Sequence, residues 1–183
     1  YIIASGEGRE ALIIDPVIEH SDEYSTILKN LDLKLVKVID THIHADHISA
    51  LNELNKRTNC IRVMGEKSKS EVIDLRIKDG EKINVEEVEL QAIYTPGHTD
   101  CSYSFLMNDR VFTGDTLLIN GSGRTDFQNG NAYDAYDSIF NKLLKLPEKT
   151  FVFPAHDYNG KKFSTIENEK NNNPRLQVSS KEE

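Results

Sequence analysis

The feature that constrains this chain most is a run of polar groups at the end of an apolar strand. Residues 33–39 are rich in β-branched side chains, with Lys34 and Lys37 alternating among them, and read as a β-strand. The strand runs straight into Thr41-His42-Ile43-His44-Ala45-Asp46-His47, and residues 48–57 then take up helical spacing. Histidines two apart at a strand end turn toward a common point. Asp46 and His47, at the start of a helix, face the same cavity from the other side. A cluster of this composition is the mark of a metal site.

Three more stretches follow apolar segments in the same way. In Thr95-Pro96-Gly97-His98-Thr99, Pro96 fixes a turn and Gly97 permits close backbone approach, so His98 stands at a loop apex. Thr113-Gly114-Asp115-Thr116 and Pro154-Ala155-His156-Asp157 complete the set. Five of the six histidines lie in these four stretches, with three carboxylates; His20 stands apart. Neutral imidazole and carboxylate oxygen suit Zn, Fe, Mn or Ni. Two histidines and one carboxylate with open positions make a non-haem Fe(II) oxygenase centre. Six or seven ligands would instead hold two metals around a bridging hydroxide, which is hydrolase chemistry. Spacing leaves both open.

The rest of the chain supplies a scaffold. Residues 1–5 and 9–15 flank the hairpin signal Gly6-Glu7-Gly8, and Ser21-Asp22-Glu23 is expected to cap a helix over 21–31. Short strands are expected at 61–64, 82–84, 87–94 and 151–153, with a hairpin of 102–107 and 110–113 about Asn108-Asp109. Residues 132–146 read as one helix carrying Tyr133, Tyr136, Ile139, Phe140, Leu143 and Leu144 on one side, and 164–171 as the last helix. Short strands with interspersed helices make a layered α/β or α+β body, with loops at strand ends presenting the chemistry.

A chain of 183 residues suits a single domain with a sizeable core. The net charge of −8 argues against a nucleic-acid partner, and no apolar run is long enough for a membrane span. Two cysteines, Cys60 and Cys101, make no disulfide framework and fit a reducing, intracellular setting. The sequence opens on Tyr1 rather than Met and is expected to be part of a longer protein.

The four motifs, in this order, resemble the metallo-β-lactamase superfamily, whose fold is a single-domain αββα sandwich with metal at one edge; here it would cover residues 1–176, leaving 177–183 as a polar tail. A narrower resemblance rests on Gly114-Asp115-Thr116-Leu117-Leu118-Ile119-Asn120-Gly121-Ser122-Gly123-Arg124-Thr125-Asp126-Phe127-Gln128, with Pro154-Ala155-His156-Asp157-Tyr158 and Asn173-Pro174-Arg175. These are similar to the persulfide dioxygenases, which oxidise glutathione persulfide with O₂ to sulfite and glutathione. The resemblance implies one Fe(II) held by His42, His98 and Asp115, the residues that carry catalysis. It also implies glutathione contacts from Arg124, Tyr158 and Arg175, and Arg offers a planar fork to a carboxylate. His44, Asp46, His47 and His156 are then expected to support these ligands or to hold a second metal.

The resemblance further implies a homodimer, with no nucleic-acid or membrane partner. The compartment would be the cytoplasm in a bacterium or the mitochondrial matrix in a eukaryote. Asn120, Ser122 and Cys101 depart from residues common in that family, and none of them removes an expected iron ligand. Cys101 reads as a small buried residue in preference to a reactive thiol. The alternative reading is a glyoxalase II-like hydroxyacylglutathione hydrolase with a dinuclear site. Against it, 27 residues follow His156, too few for the helical substrate domain such thioesterases have. A non-catalytic metal-binding module is the third reading.

Overall fold

Strand alternation builds the molecule as layers. The computed structural model describes residues 1–158 and 160–182. In β2 (Glu10–Ile14), Ala11 and Ile13 belong to one apolar cluster, while Leu12 and Ile14 belong to another. A strand whose successive side chains are all buried must lie between two layers. The first cluster includes Leu28 of α1 (Ser21–Asn30) and Leu51 and Leu54 of α2 (Leu51–Thr58). The second joins β2 and Ile39 to Leu90, Tyr103, Phe105 and Phe112 of a second sheet.

The first sheet has the order β1-β2-β3-β4-β5, with β1 at Ile2–Ala4, β3 at Lys34–Ile39, β4 at Ile61–Gly65 and β5 at Leu75–Ile77. β1 pairs antiparallel with β2, Ile3 opposite Leu12, as the Gly6-Glu7-Gly8 signal requires. β2, β3 and β4 run parallel, Ile14 beside Ile39 and Ile39 beside Val63. Asp15 and Asp40 are therefore neighbours at adjoining strand ends.

The second sheet uses β6 (Lys82–Val85), β7 (Val88–Tyr94), β8 (Tyr103–Leu106) and β9 (Arg110–Gly114). Between β9 and the next strand of this sheet come the small hairpin β10 (Leu117–Leu118) and β11 (Gly121–Ser122), then the helix α3 (Ala132–Tyr136). β12 (Phe151–Pro154), β13 (Ser164–Thr165) and α4 (Ile166–Asn172) complete the chain's longer elements. The order is β13-β12-β9-β8-β7-β6, with β12 parallel to β9. On its outer face Val111 and Val152 pack with Ile139, Leu143, Leu144, Ile166 and Leu176. Helices thus cover both outer faces, and the architecture is the αββα sandwich.

Several expected boundaries are corrected. Ser21 does not cap α1: it is the first helical residue, and its hydroxyl donates to the carbonyl of Ile18. The helix expected from Ile48 begins at Leu51, because Ile48 and Ser49 are used in pairing with the Pro16–Ile18 segment. The stretch 132–146 is not one α-helix. It widens to a π turn at Asp137–Lys142 and tightens at Leu143–Lys145. A wider turn straddles i+4 and i+5, so Ile139, Leu143 and Leu144 all reach the sheet. The last helix starts two residues late, since Ser164 and Thr165 pair with β12, and the Thr165 hydroxyl caps Asn168. The final regular turn is Pro174–Leu176, and of the expected tail 177–183, Glu183 lies outside the described residues. No helix among the described residues is long and apolar enough to cross a membrane.

Candidate metal centre

The ends of β3, β7, β9 and β12 open on one edge of the sandwich. Each is followed by one of the four polar stretches, so the sheets bring together side chains far apart in sequence. His42 is buried, and its Nε2 lies 3.9 Å from Asp115 Oδ2. His98 Nε2 lies 3.7 Å from the same oxygen. One atom from each of the three falls within 4.8 Å of the others. These spans exceed a hydrogen bond, but they match two ligands each about 2 Å from a shared ion.

The tautomers fit that use. His98 Nδ1 faces the carbonyl oxygen of Arg124 at 2.9 Å. A carbonyl only accepts, so Nδ1 donates and Nε2 keeps its lone pair for a metal. The Thr41 hydroxyl donates to Asp15 Oδ2 at 3.0 Å and receives His42 Nδ1 at 2.9 Å, which frees Nε2 in the same way. Burial, helped by the neighbouring His44 charge, pushes the His42 ring down to about 4. A neutral ring is the form that binds a metal. The donor set His, His, Asp with these lone pairs fits a first-row metal ion.

Asp15 is a functional residue that the motif search missed; a carboxylate before Pro16 at a strand end was its one signal. Besides Thr41 it holds His44, with Nε2 at 3.2 Å. Burial opposes its charge, but the His44 ring and the Thr41 N–H outweigh burial and hold its carboxyl at about 2. Burial likewise opposes charge on His44, and the bond to Asp15 raises that ring to about 9. Asp40 adjoins them, and burial pushes it up to about 7.

His44, Asp46 and His47 form a second group of close donors. His44 Nδ1 and His47 Nε2 are buried without a hydrogen-bond partner. His156 spans the two groups: Nδ1 meets Asp115 Oδ1 at 2.7 Å, and Nε2 meets Asp46 Oδ2 at 3.0 Å. Bonded first to Asp115 and then to Asp46, it is raised to about 9. Each of its nitrogens thus lies within hydrogen-bond distance of a carboxylate.

The sequence matches the family described as the Metallo-beta-lactamase superfamily over residues 1–76 and 64–156. The mitochondrial persulfide dioxygenase ETHE1 of Mus musculus is 41% identical over 185 residues, which span 100% of this chain and 72% of that relative. The crystal structure of ETHE1 from Myxococcus xanthus superposes with a TM-score of 0.96 at 44% identity, covering 100% of this chain and 80% of that one. A hydroxyacylglutathione hydrolase of Dictyostelium discoideum is 28% identical over 183 residues, 94% of this chain and 68% of the relative. The chain belongs to the metallo-beta-lactamase superfamily and, within it, to the persulfide dioxygenases.

In this persulfide dioxygenase family member, a cavity of about 390 Å³ opens beside the triad, lined by Asp46, His98, Asp115, Arg124, His156 and Tyr158 among others. Tyr158 is largely exposed and lies parallel to the His156 ring, with centroids 6.0 Å apart. Arg124 also borders a second cavity of about 350 Å³, and Arg175 lines that one. The structure therefore does not bring Arg175 to the metal's own cavity; Ser122, Gly123 and Arg124 form the shared wall between the two. Nor is the Arg124 fork idle. It pairs with Asp126 through bonds of 2.8 and 2.9 Å and lies over the Phe127 ring. Gly123 is required here, since a Cβ would fall 2.0 Å from the Asp115 carbonyl oxygen and 2.9 Å from His98 Nδ1. Cys101 is buried, with the Thr99 hydroxyl 3.4 Å from its sulfur, and does not line the metal cavity.

Proposed function

We propose that the chain oxidises glutathione persulfide with O₂ and water to sulfite and glutathione, using one Fe(II) held by His42, His98 and Asp115. The observation that carries this reading is the His, His, Asp donor set with both imidazole lone pairs turned to one carboxylate oxygen. Membership of the persulfide dioxygenase family supports it. When bound, the iron supplies the redox chemistry that side chains lack.

The side chains do the rest by binding and orienting. Thr41 and the Arg124 carbonyl fix the two imidazole rings. His156 braces Asp115 through the oxygen turned away from the triad. Arg124 and Arg175 offer cationic forks to the two carboxylates of glutathione, and Tyr158 gives its thiol end a flat wall. The Arg124 fork must leave Asp126 to do this. Both groups are exposed, so that exchange costs little.

A two-metal thioesterase is the competing reading, favoured by the unpartnered nitrogens of His44 and His47. Against it, the hydroxyacylglutathione hydrolase relative is 28% identical where the persulfide dioxygenase is 41% identical. The deciding experiment combines metal analysis with oxygen consumption on glutathione persulfide. One Fe per chain with O₂ uptake is expected. Two Zn per chain with hydrolysis of an acylglutathione would overturn the proposal. A homodimer, and one domain over 1–176, belong to the same reading. So does a reducing intracellular compartment, supported by two buried free thiols and tested by fractionating source cells.

A further inference from the structure

α4 buries a carboxylate that plays no part in the metal centre. Glu169 is 0% exposed, and four donors converge on it. Oε2 accepts from the Asn120 N–H at 2.9 Å and from Asn173 Nδ2 at 2.7 Å. Oε1 accepts from the Ser164 hydroxyl and from Asn168 Nδ2. A buried carboxylate is costly unless every oxygen is satisfied, and its bonds are directional where apolar packing is not.

The partners of Oε2 lie on two different segments. Asn120, at φ 56° in the left-handed region, turns the β10–β11 hairpin that leads into Gly123 and Arg124. Asn173 opens the turn that carries Arg175, and its side chain accepts the Arg175 N–H at 3.0 Å. The Asn173 amide also donates to the Gly121 carbonyl, so hairpin and turn are stitched together twice around one oxygen. These bonds hold the Arg175 backbone directly and the hairpin three residues before Arg124, and the two arginines line the same cavity.

We infer that Glu169 is a positioning residue for substrate recognition: it fixes the spacing between Arg124 and Arg175, and so selects a ligand with two carboxylates at one separation. This rests on the proposed role of the two arginines. It assigns to a side chain outside both cavities a share in specificity. Glu169 makes no bond to a metal donor; its one link toward the centre runs through the hairpin to the Arg124 carbonyl, which His98 meets at 2.9 Å.

The test is Glu169→Gln in the iron-loaded protein, which puts an amide N–H against donors that now meet an acceptor. Misplacement of a recognition group by even a fraction of an ångström is expected to raise KM for glutathione persulfide about tenfold, with kcat and iron content lowered much less, since only the Arg124 carbonyl links this segment to His98. The Kd of glutathione itself, by calorimetry, rises by the same factor. In a background of Arg124→Ala with Arg175→Ala the substitution adds no further rise. An unchanged KM with only a lower Tm overturns the inference, as does a full extra rise in the arginine-free background. Should Glu169→Gln not fold, Asn173→Ala removes the amide that joins Oε2 to the Gly121 carbonyl and is expected to raise KM about twofold to threefold; no change there overturns the inference equally. If the arginine variants alone leave KM and glutathione affinity unaltered, the glutathione reading falls and takes this one with it. If they raise both while Glu169→Gln does not, only the role of Glu169 falls.

Discussion

Asp15 grips Thr41 at two points, accepting its backbone N–H at 2.7 Å and its hydroxyl at 3.0 Å. The Thr41 hydroxyl in turn receives the His42 ring, so the aspartate orients a candidate metal donor through an intermediary. Asp15→Asn keeps the shape and removes the charge. Metal affinity is expected to weaken about 10- to 100-fold. A chelator-competition titration reads this directly, and unchanged affinity would refute the chain of bonds.

His42→Ala removes a ligand and leaves a small buried void. The protein is expected to lose its iron and its O₂ uptake together, at a cost of about 1–3 kcal/mol in stability. Circular dichroism checks that the fold remains. Full activity in a folded variant would sink the assignment of the centre.

Gly123→Ala tests the wall between the two cavities. The added methyl would meet Asp115 backbone and the His98 ring, neither of which is the free end of a flexible chain. Overpacking of this sort costs about 1–3 kcal/mol, and part of it is expected as displaced His98 and weakened metal binding. Thermal melts with and without Fe(II) separate the two: a smaller stabilisation by metal than in the native chain is the expected result.

Arg62 and Asp74 give a pH-dependent contribution remote from the centre. Arg62 meets both carboxylate oxygens at 2.8 and 2.9 Å. Its side chain holds the Asp74 carboxyl at about 2, below the ordinary 3.8. The folded value is the lower one, so the stabilisation is complete above about pH 4 and fades as pH falls toward 2. The carboxylate side chain is 39% exposed, which limits the effect to about 1 kcal/mol or less. Urea melts of the native chain and of Asp74→Asn should differ at pH 6 and converge toward pH 2. A constant difference would argue against the pair.

The grouping of His42, His98 and Asp115 was legible because each lies in a short stretch whose composition is unusual. His42 is followed at once by His44, Asp46 and His47, and His98 follows Pro96-Gly97. Asp15 was not legible, because its meaning arises from strand pairing. Ile14 lies beside Ile39, and that register carries Asp15 to Thr41 across 26 positions. Glu169 was silent for the same reason: its partners Asn120 and Asn173 are brought to it by the packing of a hairpin on a turn. The layered fold was readable from strand periodicity. The insertion of β12 beside β9 was not, since Phe151-Val152-Phe153 fits any buried strand. The stretch 132–146 misled because apolar spacing near four residues suits an α-helix and a π turn alike.

The placement of β12 beside β9 also has a consequence for biosynthesis. Chain growth delivers His42 early, His98 and Asp115 much later, and the bracing His156 later still, so the centre cannot take its metal while the first sheet alone has left the ribosome. A centre drawn from His42, His98 and Asp115 is complete only when both sheets are in place.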